Sequence, residues 1–598
     1  MYYNPEGKVV YMTACLGVIL DQETNTQQFF GGGQVENKSK QVANDLHHHT
    51  NDIMSMNVNT NGSREWAVTG QVGKWPAVFV WNTQTGEKRF RTKLPKTARA
   101  VAACAISGDA KFIATADRSD DHNVTIFNAE SGEALYGDKG GPDVIFDLAF
   151  NKQEGACELY SAGHKHFAHW SVKNQKRKKG LFGDNPRCSF ACVTTDDQGV
   201  AYAGGSNALI YVWGGNSIKR TLGFHGRGFV GAITWQAGKL YSGGKDGRVV
   251  VTNTATFEQE QAFDFGVLPR AIDSYKNEKF VVGLRTGSII ECDMATGTMT
   301  TIMEGHNDGE VWGLDMDDNH VYTTGDDNQV KKWDPAARKC LDTAIVNVAE
   351  RKARRNRAST LGHKPDSQSS RAVAVNNVNG QLAVCANDGS VTIRSLEDYS
   401  TNLHELTDSL EWIEAAEYSP TGDYLAVASH DTNIYIYVVN EDYRLLGKCS
   451  KHNAALTCLD WSQDGEYIRS VCNGYELLFF QIPSCAQDPS GASNTTGTLW
   501  NSQHCKFGWG VDGIYPKDCD GSHVNGVDMD ASQQHIATGD DYGLVNVFRN
   551  PCRKGSVPHS YRGHSEHVVR VKFGRGGLEP WLFSIGGYDQ TMLQWKKA

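Results

Sequence analysis

A short unit of sequence recurs along nearly the whole chain, and such a recurrence restricts the possible folds more than any single residue does. It is cleanest at Gly305-His306-Asn307-Asp308-Gly309-Glu310-Val311-Trp312-Gly313-Leu314, followed by Val321 to Asp327 and then Val330-Lys331-Lys332-Trp333-Asp334. A Gly-His opening, an alternating strand, a small-residue strand, an acidic turn and a closing Trp-Asp follow in that order. His306, Thr324, Asp327 and Trp333 can form a buried relay in which imidazole, hydroxyl, carboxylate and indole N–H satisfy one another between strands. The final unit offers His564, Ser584, Asp589 and Trp595 for the same roles.

The spacing from turn to last inner strand repeats. Asp327 precedes Trp333 by six positions, as Asp589 precedes Trp595, Asp431 precedes Tyr437 and Asp121 precedes Phe127. Asn207 to Trp213 and His164 to Trp170 replace the acid, while Asp246 to Thr252 and Asp388 to Arg394 lose the aromatic. In a hairpin this interval carries the chain from the turn to one fixed side-chain position. The pattern is the WD40 repeat signature. At a period of roughly 40–45 residues it predicts about thirteen blades. Propellers hold about four to eight, so an all-β chain with two tandem WD40-type β-propellers is expected. The seam is placed near residue 300, after Thr296-Gly297-Thr298, giving one propeller over 1–302 and a second over 303–598.

Bulk properties agree. A chain of 598 residues exceeds one ordinary core, and 62 Gly against 15 Pro suit many tight turns. A formal charge of −10 argues against a general nucleic-acid binder. The apolar run from Val9 to Leu20 is too short to span a bilayer and reads as one or two strands. No membrane partner and no signal peptide are expected, hence a soluble intracellular protein. Fifteen scattered Cys without paired spacing predict reduced thiols and no zinc site.

Three stretches break the repeat. The first, Gly31 to His49, is an extended polar loop; its His47-His48-His49 run reads as solvated rather than metal-binding, with His49 taking the Gly-His histidine's place. The second, Ala344 to Arg371, carries Arg351, Lys352, Arg354, Arg355, Arg357, Lys364 and Arg371 and reverses the local sign of charge. It is either a solvated loop or an electrostatic arm for an acidic partner. A smaller cluster, Lys173, Lys176, Arg177, Lys178 and Lys179, is most simply an exposed turn. The third, Ala486 to Thr498, reads as a flexible loop.

No catalytic constellation stands out. There is no Walker lysine loop, no zinc ligand pair and no Gly-rich turn opening a helix. The His and Asp at fixed repeat positions are expected to be structural. The chain is therefore predicted to be non-enzymatic and to need no cofactor.

Phrases more specific than WD40 occur in the second half. Leu425-Ala426-Val427-Ala428-Ser429-His430-Asp431 with Ile434-Tyr435-Ile436-Tyr437, Leu459-Asp460-Trp461-Ser462, Tyr475-Glu476-Leu477-Leu478-Phe479 and Tyr561-Arg562-Gly563-His564 resemble segments of the echinoderm microtubule-associated-protein-like family. In the first half Ala67-Val68-Thr69-Gly70 and Lys179-Gly180-Leu181-Phe182 are similar to it too. The match is collinear over essentially the whole chain. It implies propellers joined as one rigid unit and association with tubulin, and hence a cytoskeletal protein. The family's N-terminal coiled coil is not seen, and its hydrophobic motif survives only around Val9 to Leu20. Without a coil, avidity has to come from repeated lattice sites or neighbours. That suits a ciliary axoneme with other axonemal proteins as partners. The expected function is decoration or stabilisation of the tubulin lattice, with the basic residues above as candidate contacts. The alternative is a general WD40 scaffold for a non-cytoskeletal complex.

Overall fold

The computed structural model describes residues 1–35, 47–152, 157–346, 369–398, 401–515 and 521–596. These residues are almost entirely β: eleven four-stranded sheets, one of five strands and one of three, all antiparallel and, apart from the fifth strand of the five-stranded sheet, meanders. Among the described residues no helix is long and apolar enough to cross a membrane.

The residue pattern explains why each sheet stacks on its neighbours. In the blade Val230–Gln236, Lys239–Gly244, Arg248–Asn253 and Gln259–Asp264, the middle strands are buried on both faces while the last is exposed and polar. Small residues such as Gly243 let the next blade approach: a Cβ there would lie 2.6 Å from Pro269 of the following inner strand. Closing the stack into a ring covers the innermost edges.

The chain divides into two compact units, residues 1–32 with 40–305, and residues 33–39 with 306–598. The first holds seven sheets. Its N-terminal strand Tyr2–Tyr3 lies inside the hairpin of Val9–Thr13 and Leu16–Asp21, with Thr26–Phe30 outermost. Tyr3 closes the ring by donating its backbone N–H to Asp273 of the last inner strand, Pro269–Tyr275, at 2.8 Å.

The second unit holds six sheets, with inner strands Val311–Met316, Ser370–Asn376, Ile413–Tyr418, Leu456–Trp461, Val524–Met529 and Val568–Phe573. The fifth residue of several of these reaches across to the next element. Asp315 accepts the N–H of Val375 at 2.7 Å, and Asp528 that of Phe573 at 2.7 Å. Asp460 instead accepts the N–H groups of His504 at 2.5 Å and Cys505 at 3.1 Å. Residues 502–506 thus fill the place beside Asp460 that a neighbouring inner strand would take, and Lys506 completes the junction by donating to Val524 O at 2.9 Å.

Two features depart from expectation. The strand Gly33–Val35, from the stretch read as a polar loop, pairs with His559–Arg562 as the fifth strand of one sheet of the second unit. Residues 486–498 are not a plain loop. They hold the strand Ala486–Gln487 and a single helical turn, Gly491–Asn494, closed by Thr495 Oγ1 donating to Gly491 O at 2.8 Å. Their Ser, Gly, Asn and Thr content signals turns, and turns stitched by side chains are ordered.

Candidate functional site

The predicted relays form, with one change of residue. Trp333 Nε1–H donates to Thr323 Oγ1 at 2.7 Å, Thr323 lies 2.8 Å from His306 Nε2, and His306 Nδ1 lies 2.9 Å from Asp327. The hydroxyl is that of Thr323 and not Thr324, whose Oγ1 donates to Gln329 O at 3.0 Å. Side chains alternate faces along a strand, so a one-residue error selects the wrong face. His564, Ser584, Asp589 and Trp595 form the second relay, with His564 Nε2 to Ser584 at 2.7 Å, Nδ1 to Asp589 at 3.1 Å and Trp595 Nε1 to Ser584 at 2.8 Å. His49 sits in a third, on Thr69 at 2.8 Å, with Gln71 replacing the acid. These are interior groups that bind blade strands together.

The basic residues fall differently. Arg351, Lys352, Arg354, Arg355 and Arg357 lie outside the described residues. Lys176, Arg177, Lys178 and Lys179 are not a turn but an outermost strand, Lys176–Lys179, paired with His166–Ser171. Arg177 lies over the Trp170 ring at 5.4 Å and donates to Gly140 O at 2.9 Å. The three lysines are exposed, a charged edge of the kind that prevents edge-to-edge pairing.

Sequence reading missed the axis of the second unit. Two rings of side chains converge there, at the second and fifth residues of the inner strands. Three apart, these would face opposite sides under strict alternation, and the register shift at the second residue of each strand offsets it. Trp312, Glu414, Thr457, Asn525 and Val569, each the second residue of its strand, line a cavity of about 310 Å³. Lys506 and Arg570 add positive charge, and the exposed Tyr475 stands at the rim beside Phe507 at 5.7 Å. Arg570 donates to Glu414 O at 2.6 Å. Burial pushes Glu414 up, but His430 and the Arg570 and Arg371 charges outweigh it and hold it below the usual range. Burial lowers Lys506, so its ammonium gains from any anion brought to it. Close by, Arg371 is stacked 3.7 Å from Trp312 and 4.4 Å from Trp412.

Deeper lies the fifth-position ring: Asp315, Ala374, Glu417, Asp460, Asp528 and Lys572. Lys572 pairs with Asp315 at 2.5 Å and Arg469 with Asp460 at 2.8 Å. His504 enters among the remaining acids. Burial lowers it, but Glu417 and then Asp460 outweigh this and bring it up to about 8. Glu417, Asp460 and His504 are one set whose atoms could meet at a metal; His452, Cys472 and Glu476 are another. In the second set His452 is already engaged with Ser470 at 2.7 Å, as in the other relays.

Residues 311–597 match the family described as the echinoderm microtubule-associated protein second beta-propeller. A ciliary WD repeat-containing protein, ctxp80, of Euplotoides octocarinatus is 48% identical over 602 residues, covering all of this chain and 83% of that protein. Echinoderm microtubule-associated protein-like 1 of Homo sapiens is 28% identical over 626 residues, covering all of this chain and 71% of its own length. The 77 kDa echinoderm microtubule-associated protein of Lytechinus variegatus is 28% identical over 622 residues, covering all of this chain and 86% of its own. With thirteen blades in two units and this full-length similarity, the chain belongs to the echinoderm microtubule-associated-protein-like family of tandem WD40 propellers.

Proposed function

We propose that this protein is a non-catalytic microtubule-binding protein that decorates or stabilises the tubulin lattice, in the ciliary axoneme. The observation that carries this is the collinear match over the whole chain to relatives named as ciliary and as microtubule-associated proteins. The His–Asp pairs of the repeat are consumed in the relays. The cavity of the second propeller supports a binding role: Lys506 and Arg570 inside an aromatic rim suit an acidic, extended segment of a protein surface. The exposed lysines of Lys176–Lys179 offer a second positive strip, and the arginines from Arg351 to Arg357, outside the described residues, add positive charge in the sequence.

Co-sedimentation of the full chain with stabilised microtubules over a salt series tests this. Saturable binding that weakens as salt rises is expected. Lys506→Gln is expected to weaken it by about tenfold, in the range of one charge-assisted hydrogen bond. Absence of pelleting at low salt refutes direct lattice binding. Unchanged affinity in Lys506→Gln moves the contact away from the cavity and onto the basic strips.

A further inference from the structure

Residues 502–505 bring an imidazole into a ring of acids that the blades themselves leave incompletely satisfied. Two fully buried carboxylate oxygens there, Glu417 Oε2 and Asp528 Oδ1, accept no hydrogen bond. Asp528 has a side chain that is 0% exposed and points Oδ1 at His504 Nε2 from 3.5 Å. On the other ring nitrogen, His504 Nδ1 stands 3.7 Å from Glu417 Oε2 and 3.5 Å from Asp460 Oδ1. All three separations are too long for good hydrogen bonds. The two about Nδ1 are close to the edges of a coordination polyhedron: tetrahedral bonds of about 2.0–2.1 Å set neighbouring ligand atoms about 3.3 Å apart.

We infer that His504 Nδ1, Glu417 Oε2 and Asp460 Oδ1 form a binding site for one divalent transition-metal ion on the axis of the second propeller. The hydroxyl of Ser502 decides whether Asp460 is available. It lies 2.7 Å from Glu417 Oε1 and 2.8 Å from Asp460 Oδ1, yet has a single proton to give. Donated to Glu417 Oε1, it leaves Asp460 Oδ1 with the backbone N–H of His504 at 2.5 Å and one lone pair for the ion. Asp460 Oδ2 stays with Arg469 and Cys505 N–H.

With Nδ1 on the metal, Nε2 keeps its proton and faces Asp528 Oδ1. That is the carboxylate–histidine–metal arrangement that fixes tautomer and ring orientation. A cavity of about 50 Å³ touches both Glu417 and His504, with room for water in the remaining coordination positions. One nitrogen and two carboxylates select zinc or manganese over calcium or magnesium, which prefer all-oxygen shells. The ion's role is structural: it ties residues 502–505 to the blades bearing Glu417 and Asp460.

The test is calorimetric titration of the full chain, stripped with chelator, with zinc chloride and separately with manganese chloride at mildly alkaline pH. Elemental analysis counts the equivalents. His47→Ala and His48→Ala are introduced throughout so that the histidine run does not contribute. One equivalent is expected, with Glu417→Gln and, independently, His504→Gln weakening it tenfold to a hundredfold. Circular dichroism confirms that each variant is folded; two variants keep the test open if one is not. A chain that takes up neither ion, leaving His504 as a protonated imidazole among the carboxylates, overturns the site. So does a full equivalent bound as tightly by folded Glu417→Gln or His504→Gln.

Discussion

The carboxylate of Asp273 accepts the backbone N–H of Tyr3 at 2.8 Å, joining residues 270 positions apart in the first propeller. The same oxygen holds Arg64 Nη1 at 2.7 Å, and Arg64 also donates to Tyr3 O at 3.0 Å and Ser274 O at 2.9 Å. One buried pair thus gathers the N-terminal strand, the Ile53–Val58 blade and the last blade. Removing one partner of such a pair strands the other charge, at a cost of about 3–5 kcal/mol. Asp273→Ala is expected to lower the stability of the first propeller by that amount in urea unfolding. A loss under about 1 kcal/mol would place the pair among dispensable ion pairs.

The relay register yields a sharper comparison. Thr323→Val leaves His306 Nε2 and Trp333 Nε1 without their shared hydroxyl and is expected to cost about 1–3 kcal/mol. Thr324→Val removes one bond to a backbone carbonyl and is expected to cost about 1 kcal/mol or less. Thermal unfolding of the two variants side by side decides it, and the reverse order would contradict the assigned faces.

How far the sequence reaches is visible in these same residues. Local spacing found the His306, Asp327 and Trp333 relay and the His564 set, because each lies within one repeat and its chemistry demands those residue types. It slipped by one at Thr323, since two adjacent threonines satisfy the composition equally and only the strand's facing separates them. The closure by Arg64 and Asp273 had no local signal: Arg64 lies between strands, and the two are 209 positions apart. His504 was missed for a related reason. It comes from a segment without repeat pattern, and the acids around it look individually like ordinary strand residues until the ring superposes them. The lysines of Lys176–Lys179 were read as a turn because a run of like charges has no period-two pattern; the blade imposes the strand nonetheless.

Acid sensitivity follows from the buried His49. Its Nε2 faces Thr69 at 2.8 Å, its Nδ1 faces Gln71 at 2.8 Å, and burial holds its pKa down to about 4. An unfolded histidine titrates near about 6.5. Between those values the unfolded chain binds the extra proton, so stability rises with pH there and is lost as pH falls from 6.5 towards 4. The full loss is about 3 kcal/mol. Urea unfolding across this range should show a slope about one proton steeper for the natural chain than for His49→Asn. Equal slopes would mean that His49 is not held neutral.

The strand Gly33–Val35 can be tested by exchange. Replacing Gln34 and Val35 together by proline removes two backbone donors and the extended pairing with Tyr561 and Ser560. Amides of His559–Arg562 are expected to exchange at least about tenfold faster, with distant blades unchanged. No change there would show that the blade's four other strands protect it alone.

That strand also sets a timetable for synthesis. Gln34 leaves the ribosome 525 residues before His559, the residue whose side chain it meets. At roughly 5–20 residues per second the wait is on the order of half a minute to two minutes. Throughout it, residues 33–35 lack the strand that they pair with in the finished sheet. The segment is short and carries glycine and glutamine rather than a hydrophobic run, which makes it a poor template for premature pairing. The last blades to be translated therefore complete a sheet whose outermost strand was among the first parts of the chain to be made.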